Sequence, residues 1–188
     1  MSTLVTLDTL ARYLDRDEWR YDLDPEGSCI RTGFRGDHAT YRAMVLYDSE
    51  KQRVRFIVPN YLNLTKVQDK ARILERLMEL NMQYILLKFG YDPADGEVRA
   101  EIDVPVNDSD ISYEGFRRCL YCLLTAADEE YPEMMRLMWG TEGAPKGKKR
   151  GTAGPGSGGS GGSELGPQPG GSEGENPQGG KGLKKPRI

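Results

Sequence analysis

Apolar residues in the first part of the chain recur at two different spacings. In residues 4–16 they stand three or four positions apart, which predicts an amphipathic helix with one buried stripe. The next three segments, residues 30–35, 41–47 and 53–58, alternate between two sides with a period of two. Because only short connections join these segments, they predict an antiparallel meander with one face against the core.

The same two spacings return in the second half. Residues 64–82 predict a helix with an apolar stripe of Val67, Ala71, Leu74 and Met78, widened by Ile73, Leu77 and Leu80. Residues 85–91 and 97–104 alternate around a turn and predict a hairpin. Ile85 is expected to point in the same direction as Leu87, Phe89 and Tyr91.

A last helix is predicted over residues 112–130. Proline suits the first turn of a helix better than its interior. We therefore expect a break at Pro132 and a short second helical piece over residues 132–139. The predicted order is α-β-β-β-α-β-β-α, an α+β fold with a five-stranded antiparallel sheet and helices packed on one face.

The last 48 residues differ in composition from the rest of the chain. They hold 16 of the 23 glycines and five apolar residues. A segment with so little to bury cannot offset the entropy of ordering its backbone. Residues 141–188 are therefore predicted to be a disordered Gly/Ser/Pro-rich tail, and residues 1–140 to be one folded domain.

Charge divides the chain at the same place. Residues 1–140 carry a net charge of −7 and the tail one of +4. An acidic domain argues against nucleic acid as its main ligand. The tail could still bind anions such as nucleic acid or acidic lipid through its basic clusters, Lys146, Lys148, Lys149 and Arg150, then Lys184, Lys185 and Arg187. The alternative is a flexible, solubilising appendage.

Cysteine number and apolar run length limit the location. No run of about 18 apolar residues is present, so no membrane span is predicted. Three cysteines are too few and too odd in number for a disulfide scaffold. A reducing compartment, and hence a cytoplasmic location, is expected.

Candidate chemistry is sparse. Cys119 and Cys122 form a CxxC motif in the middle of the last predicted helix, where no helix N-terminus can stabilise a thiolate. A thiol-redox pair, half of a zinc site completed by Cys29 and His38, and two core residues all remain open. The carboxylates, including Asp128, lie in charge runs typical of solvated surface. We therefore predict no catalytic residue, no cofactor and no metal.

Four stretches of the chain resemble the YbjN family of bacterial sensory-transduction regulators. They are residues 54–59 (VRFIVP), 86–92 (LLKFGYD), 96–99 (GEVR) and 126–132 (AADEEYP). The resemblance covers residues 1–140 and implies a fold like that of the type III secretion chaperones. It also implies a non-enzymatic, regulatory or chaperone-like protein-binding role, with a homodimer as one form.

The sheet side away from the predicted helices, which we name the outer face, is not simply polar. Its predicted centre is apolar and its rim is rich in arginine, the composition of a protein interface. The candidate binding residues are Arg42, Met44, Leu46, Arg55, Ile57, Leu86 and Lys88, with Arg31, Arg53 and Arg99 also on the rim. We expect this face to bind a second copy or an extended client. The alternative is that residues 134–138 of the same chain cover it.

Overall fold

The computed structural model describes residues 5–106 and 110–140. The predicted disordered tail lies outside these residues, as do its basic clusters. The described elements are α1 (Leu7–Arg16), β1 (Tyr21–Asp24), β2 (Cys29–Arg35), β3 (Thr40–Asp48), β4 (Arg53–Asn63), α2 (Lys70–Gln83), β5 (Lys88–Tyr91), β6 (Glu97–Pro105) and α3 (Tyr113–Trp139). All strand pairs are antiparallel, in the order β1-β2-β3-β4-β6-β5.

The sheet has six strands where five were predicted. The additional strand, β1, pairs with β2 from Tyr21↔Thr32 to Asp24↔Cys29. Four residues are too short a run for alternation to be recognised among acidic neighbours. The pairing is supported by Asp24, which accepts a hydrogen bond from the Gly27 backbone N–H (2.9 Å) and forms an ion pair with Arg31 (2.8 Å).

The core lies on one face of this sheet, as predicted. Ile30, Val45, Phe56 and Ile102 are successive cross-strand partners in a row across four strands, and each is at most 1% exposed. Phe116 of α3 packs on Phe56 with ring centroids 5.2 Å apart. Buried residues of α1, α2 and α3 belong to the same apolar cluster, so the three helices share that face and the α+β fold class is confirmed.

Helix α2 is shorter than predicted and packs through only one side of the wide apolar stripe predicted for it. It begins at Lys70, with Asp69 as its N-cap, and buries Ile73, Leu77 and Leu80. Met78, predicted to be buried, is exposed. Because α2 carries apolar residues on two sides, its sequence does not decide which side meets the core.

Helix α3 runs without the break predicted at Pro132. The residues on either side of the proline are held by the core. Tyr131 packs against Tyr41 and Tyr61, with ring centroids 5.9 and 6.1 Å apart, and Met134 is fully buried. This packing offsets the backbone hydrogen bond that proline cannot donate.

Asp128 is a buried part of the fold and not the solvated residue predicted. Its carboxylate accepts hydrogen bonds from the backbone N–H groups of Asp37, His38 and Ala39, at 2.7, 3.1 and 3.2 Å. The Tyr41 hydroxyl donates a fourth, at 3.0 Å. One side chain of α3 thereby holds the turn that connects β2 to β3. Burial, together with this carboxylate, raises the pKa of Tyr41 well above its usual range.

Polar contacts also fix α2 to its neighbours. The Asn81 side chain donates to the Phe89 carbonyl (3.1 Å) and accepts from the Phe89 N–H (2.6 Å), which caps part of the edge strand β5. At the end of α2, the Tyr84 hydroxyl donates to Glu130 of α3 (3.1 Å). Burial and this carboxylate raise the pKa of Tyr84 to about 12.

Candidate protein-binding surfaces

The outer face brings together most of the residues predicted for it. Met44 lies opposite Ile57, and Leu46 lies opposite Arg55, across the β3–β4 pair. Arg42 is two residues from Met44 on the same side of β3. Ile57 is buried, whereas Met44 and Leu46 are half-buried. The apolar centre predicted for this face is therefore present, but little of it is open to a partner.

Most of the cations on the rim of the outer face are ion-paired with carboxylates of the same chain. Strand β6 supplies Glu101 and Asp103, and Asp103 binds Arg55 Nε at 2.7 Å and Lys88 Nζ at 3.2 Å. Other rim cations are also ion-paired: Arg31 with Asp24, Arg53 with Asp48, and Arg99 with Glu97 and Asp92. The period-two pattern places these acids on the same face, but only the strand register shows which cation each one meets.

Two further expectations about the outer face are wrong. Leu86 is not on a strand, because β5 begins at Lys88 and Leu86 lies in the bend that follows α2. The segment 134–138 does not cover the outer face. It continues α3 on the opposite side of the sheet, where Met134 is in the core.

Four of the six exposed large apolar residues in the described part of the chain form a different surface, which we name the α2 patch: Met78, Met82, Ile85 and Leu86. Their exposed fractions are 64%, 87%, 97% and 50%. Met78 and Met82 are four residues apart and lie on the same side of the helix. Ile85 and Leu86 follow the helix C-cap, Tyr84. The pattern misled the prediction for Met78 and Ile85, because both continue apolar repeats that are typical of a core.

The α2 patch is about as large as the largest apolar patch on a typical monomer, roughly 300 Å². Each of its four side chains is at least half exposed. Patches of this size on folded proteins often mark binding sites. Methionine is unbranched and polarizable and adapts to differently shaped partners. The α2 patch is therefore the stronger candidate interface in the described part of the chain.

The cysteines do not form a reactive pair. Cys119 and Cys122 lie in the middle of α3, and burial raises the pKa of both thiols. A redox cysteine needs a lowered pKa, so the redox alternative gains no support. Across residues 5–106 and 110–140, no three His, Cys, Asp or Glu side chains are grouped so that they could hold a metal ion. The zinc alternative therefore lacks a ligand set there.

No helix within the described residues has the length and apolar content that a bilayer crossing requires.

Among solved structures, the chain is similar to one in the ExsC–ExsE complex, with a TM-score of 0.53, 18% identity, and coverage of 73% of this chain and 97% of that chain. That likeness shows the fold, which is of the type III secretion chaperone kind.

Two other solved structures are similar at lower scores. A crystal structure of YbjN from E. coli, titled as a putative transcription regulator, has a TM-score of 0.47, 15% identity, and coverage of 73% and 93%. The HopA1–SchA chaperone–effector complex has a TM-score of 0.45, 17% identity, and coverage of 64% and 86%. No curated protein sequence matches the chain.

The decisive comparison is with protein-family models. The model named YbjN, described as "Putative bacterial sensory transduction regulator", matches residues 6–136. This match takes in all three helices and all six strands except the last three residues of α3. Because it spans well over half of the sequence, the chain belongs to the YbjN family.

Proposed function

We propose that this protein is a non-enzymatic protein-binding module with a regulatory or chaperone-like role, carried by a folded domain over residues 1–140. The observation that carries the proposal is the α2 patch, whose apolar side chains are more exposed than folding alone would favour. Membership of a family described as regulators and a fold of the chaperone kind support it.

The occupant that we propose for the α2 patch is a second copy of the chain. An isologous interface needs a surface that complements itself. Met78 and Met82 lie on one side of α2, so two copies packed antiparallel about a twofold axis would bring the same apolar side chains against each other. The apolar patch would be the centre of an interface of about 800 Å² per partner.

Substitution of Ile85 by Asp is expected to abolish this dimer without affecting the fold, because Ile85 is 97% exposed and the new charge would be buried only in the interface. Sedimentation equilibrium over a concentration series measures the effect, and circular dichroism verifies the fold. The matched control is Leu23→Asp on the opposite sheet edge, which should still form dimers. A wild-type chain that stays monomeric, or an Ile85→Asp variant that dimerises normally, would contradict the proposal.

The outer face remains our proposed site for an extended client. The half-buried Met44 and Leu46 supply apolar contacts there, and Arg42 has no carboxylate within 4.0 Å among the described residues. Leu46→Asp is expected to reduce client capture at least about tenfold, since a buried unpaired charge costs more than 1.4 kcal/mol. Leu86 is unsuited to this test because it belongs to the α2 patch.

Affinity capture with equal amounts of wild-type, Leu46→Asp and Ile85→Asp protein separates the two surfaces. The proposal for the outer face predicts that a client is lost with Leu46→Asp and retained with Ile85→Asp. Retention of every captured protein by the Leu46→Asp variant would eliminate the outer face as the client site.

A further inference from the structure

A glycine stands on the outer face at a position where the fold does not require one. Gly33 is an exposed residue in the middle of β2, directly opposite Arg42 on β3. Its φ is not in the left-handed region, and a Cβ added there would contact nothing within 4 Å beyond its chain neighbours. Glycine weakens the interior of a strand and often marks a place where another backbone approaches closely. Gly33 therefore leaves a gap in the outer face that the chain itself does not fill.

Three arginines surround this gap, and we name them the arginine cluster: Arg20, Arg35 and Arg42. Arg42 is the cross-strand partner of Gly33, and Arg35 lies two residues further along β2 on the same side. Arg20 directly precedes β1, and its carbonyl accepts a hydrogen bond from the Thr32 hydroxyl, next to Gly33 (2.7 Å). All three arginines are exposed, and none forms an ion pair with a described residue.

The arginine cluster differs in this respect from the other cations of the outer face, which are paired with carboxylates. Arg35 and Arg42 are diagonal neighbours on adjacent strands, about 7–8 Å apart, and like charges at this distance repel each other. The acids nearest to them in sequence and register, Asp22 of β1 and Asp37 of the β2–β3 turn, form no ion pair with the cluster. An anionic group bound over Gly33 would offset the repulsion.

We propose that the client of the outer face is an extended peptide segment in which two or more Asp or Glu residues adjoin apolar residues. This inference rests on the proposed client site and names its partner. The acids would pair with the arginine cluster, since a guanidinium binds a carboxylate through two parallel hydrogen bonds. The client backbone would cross the gap at Gly33.

The order of residues along β3 supports a client of this composition. The outward-facing residues that follow Arg42 are Met44 and Leu46, so a segment aligned with β3 would meet charge first and apolar surface next. A nucleic acid fits less well, because residues 1–140 carry a net charge of −7, which repels a polyanion that extends beyond the arginine cluster.

Fluorescence anisotropy with labelled peptides and the full chain tests the inference. The probe is a ten-residue peptide of four aspartates followed by alternating leucine and serine, and its matched control carries asparagine in place of aspartate. The aspartate peptide should bind about tenfold more tightly at low salt, because each of three exposed ion pairs strengthens binding roughly twofold. This preference should decrease as added salt screens the charges.

Three variants assign the preference to the arginine cluster. The double variant Arg35→Gln/Arg42→Gln should lose most of it, whereas Arg118→Gln, which alters an exposed arginine of α3, should retain it. Gly33→Val should weaken binding of the aspartate peptide about tenfold without lowering the thermal unfolding midpoint, because the valine fills the gap and clashes with nothing in the chain.

Equal binding of the aspartate and asparagine peptides would overturn the acidic specificity. A preference that persists in the double variant would do the same, since it would come from basic residues elsewhere, such as those of the tail. Tight binding of a labelled ten-nucleotide oligothymidylate, equal to that of the aspartate peptide, would show a general anion site and also overturn the inference. None of these results removes the client site itself, which the capture experiment with Leu46→Asp tests separately.

Discussion

Replacement of Asp128 by alanine is expected to lower the free energy of unfolding by about 3 kcal/mol. Asp128 is 7% exposed, and its carboxylate receives four hydrogen bonds. Alanine would leave the backbone donors of the β2–β3 turn and the Tyr41 hydroxyl without an acceptor. Water can reach part of the turn, which keeps the loss below the sum of four charge-assisted hydrogen bonds.

Urea unfolding followed by tryptophan fluorescence measures this loss, since Trp19 is buried in the core. Glu129→Ala is the matched control: it removes a carboxylate from the next position, which is exposed, and should change stability by less than about 0.5 kcal/mol. Asp128→Asn should fall between the two, because the amide retains one acceptor oxygen. Equal stability of the Asp128→Ala and Glu129→Ala variants would show that the buried contacts do not stabilise the fold.

Replacement of Gly36 by alanine is expected to destabilise the protein by about 2 kcal/mol, through overpacking. A Cβ at position 36 would overlap both carboxylate oxygens of Asp128. The carboxylate cannot move away without breaking its hydrogen bonds to the turn. The cost is steric and not conformational, because the backbone of Gly36 has no left-handed φ.

A double-mutant cycle tests that origin. With Asp128→Ala already present, the added Cβ meets no carboxylate, and Gly36→Ala should then cost less than about 1 kcal/mol. Urea unfolding of the two single variants and the double variant gives the coupling energy. If Gly36→Ala costs the same in both backgrounds, its effect has another cause.

The alternating segments 30–35, 41–47, 53–58 and 97–104 each lie within an observed strand, although β4 continues to Asn63. The alternation in β2, β3, β4 and β6 placed Ile30, Val45 and Ile102 on the face that is buried, since a strand has only two sides and the apolar one is buried. β1 was missed because four residues carry too little pattern. The break expected at Pro132 was wrong because local propensity was outweighed by the packing of Tyr131 and Met134.

The candidate surfaces were predicted less completely. The sequence placed Met44, Leu46 and Ile57 together on the outer face, but not the acids that pair with its rim. The sequence did not predict the α2 patch, because Met78 and Ile85 fit the apolar repeats of a core. Whether such a residue is covered depends on which side of the helix faces the sheet. Contacts between residues distant in sequence determine that orientation.

For this protein, the sequence by itself determined the class of fold, the sheet side that is buried and the family resemblance. These follow from apolar spacing and local motifs, which are carried by residues close together in the chain. Tertiary structure alone decided that Asp128 is buried at a turn some 90 residues away, that the outer rim is ion-paired, and that the α2 patch is exposed. Each of these depends on which distant groups meet, and therefore on desolvation and pairing that local pattern does not encode.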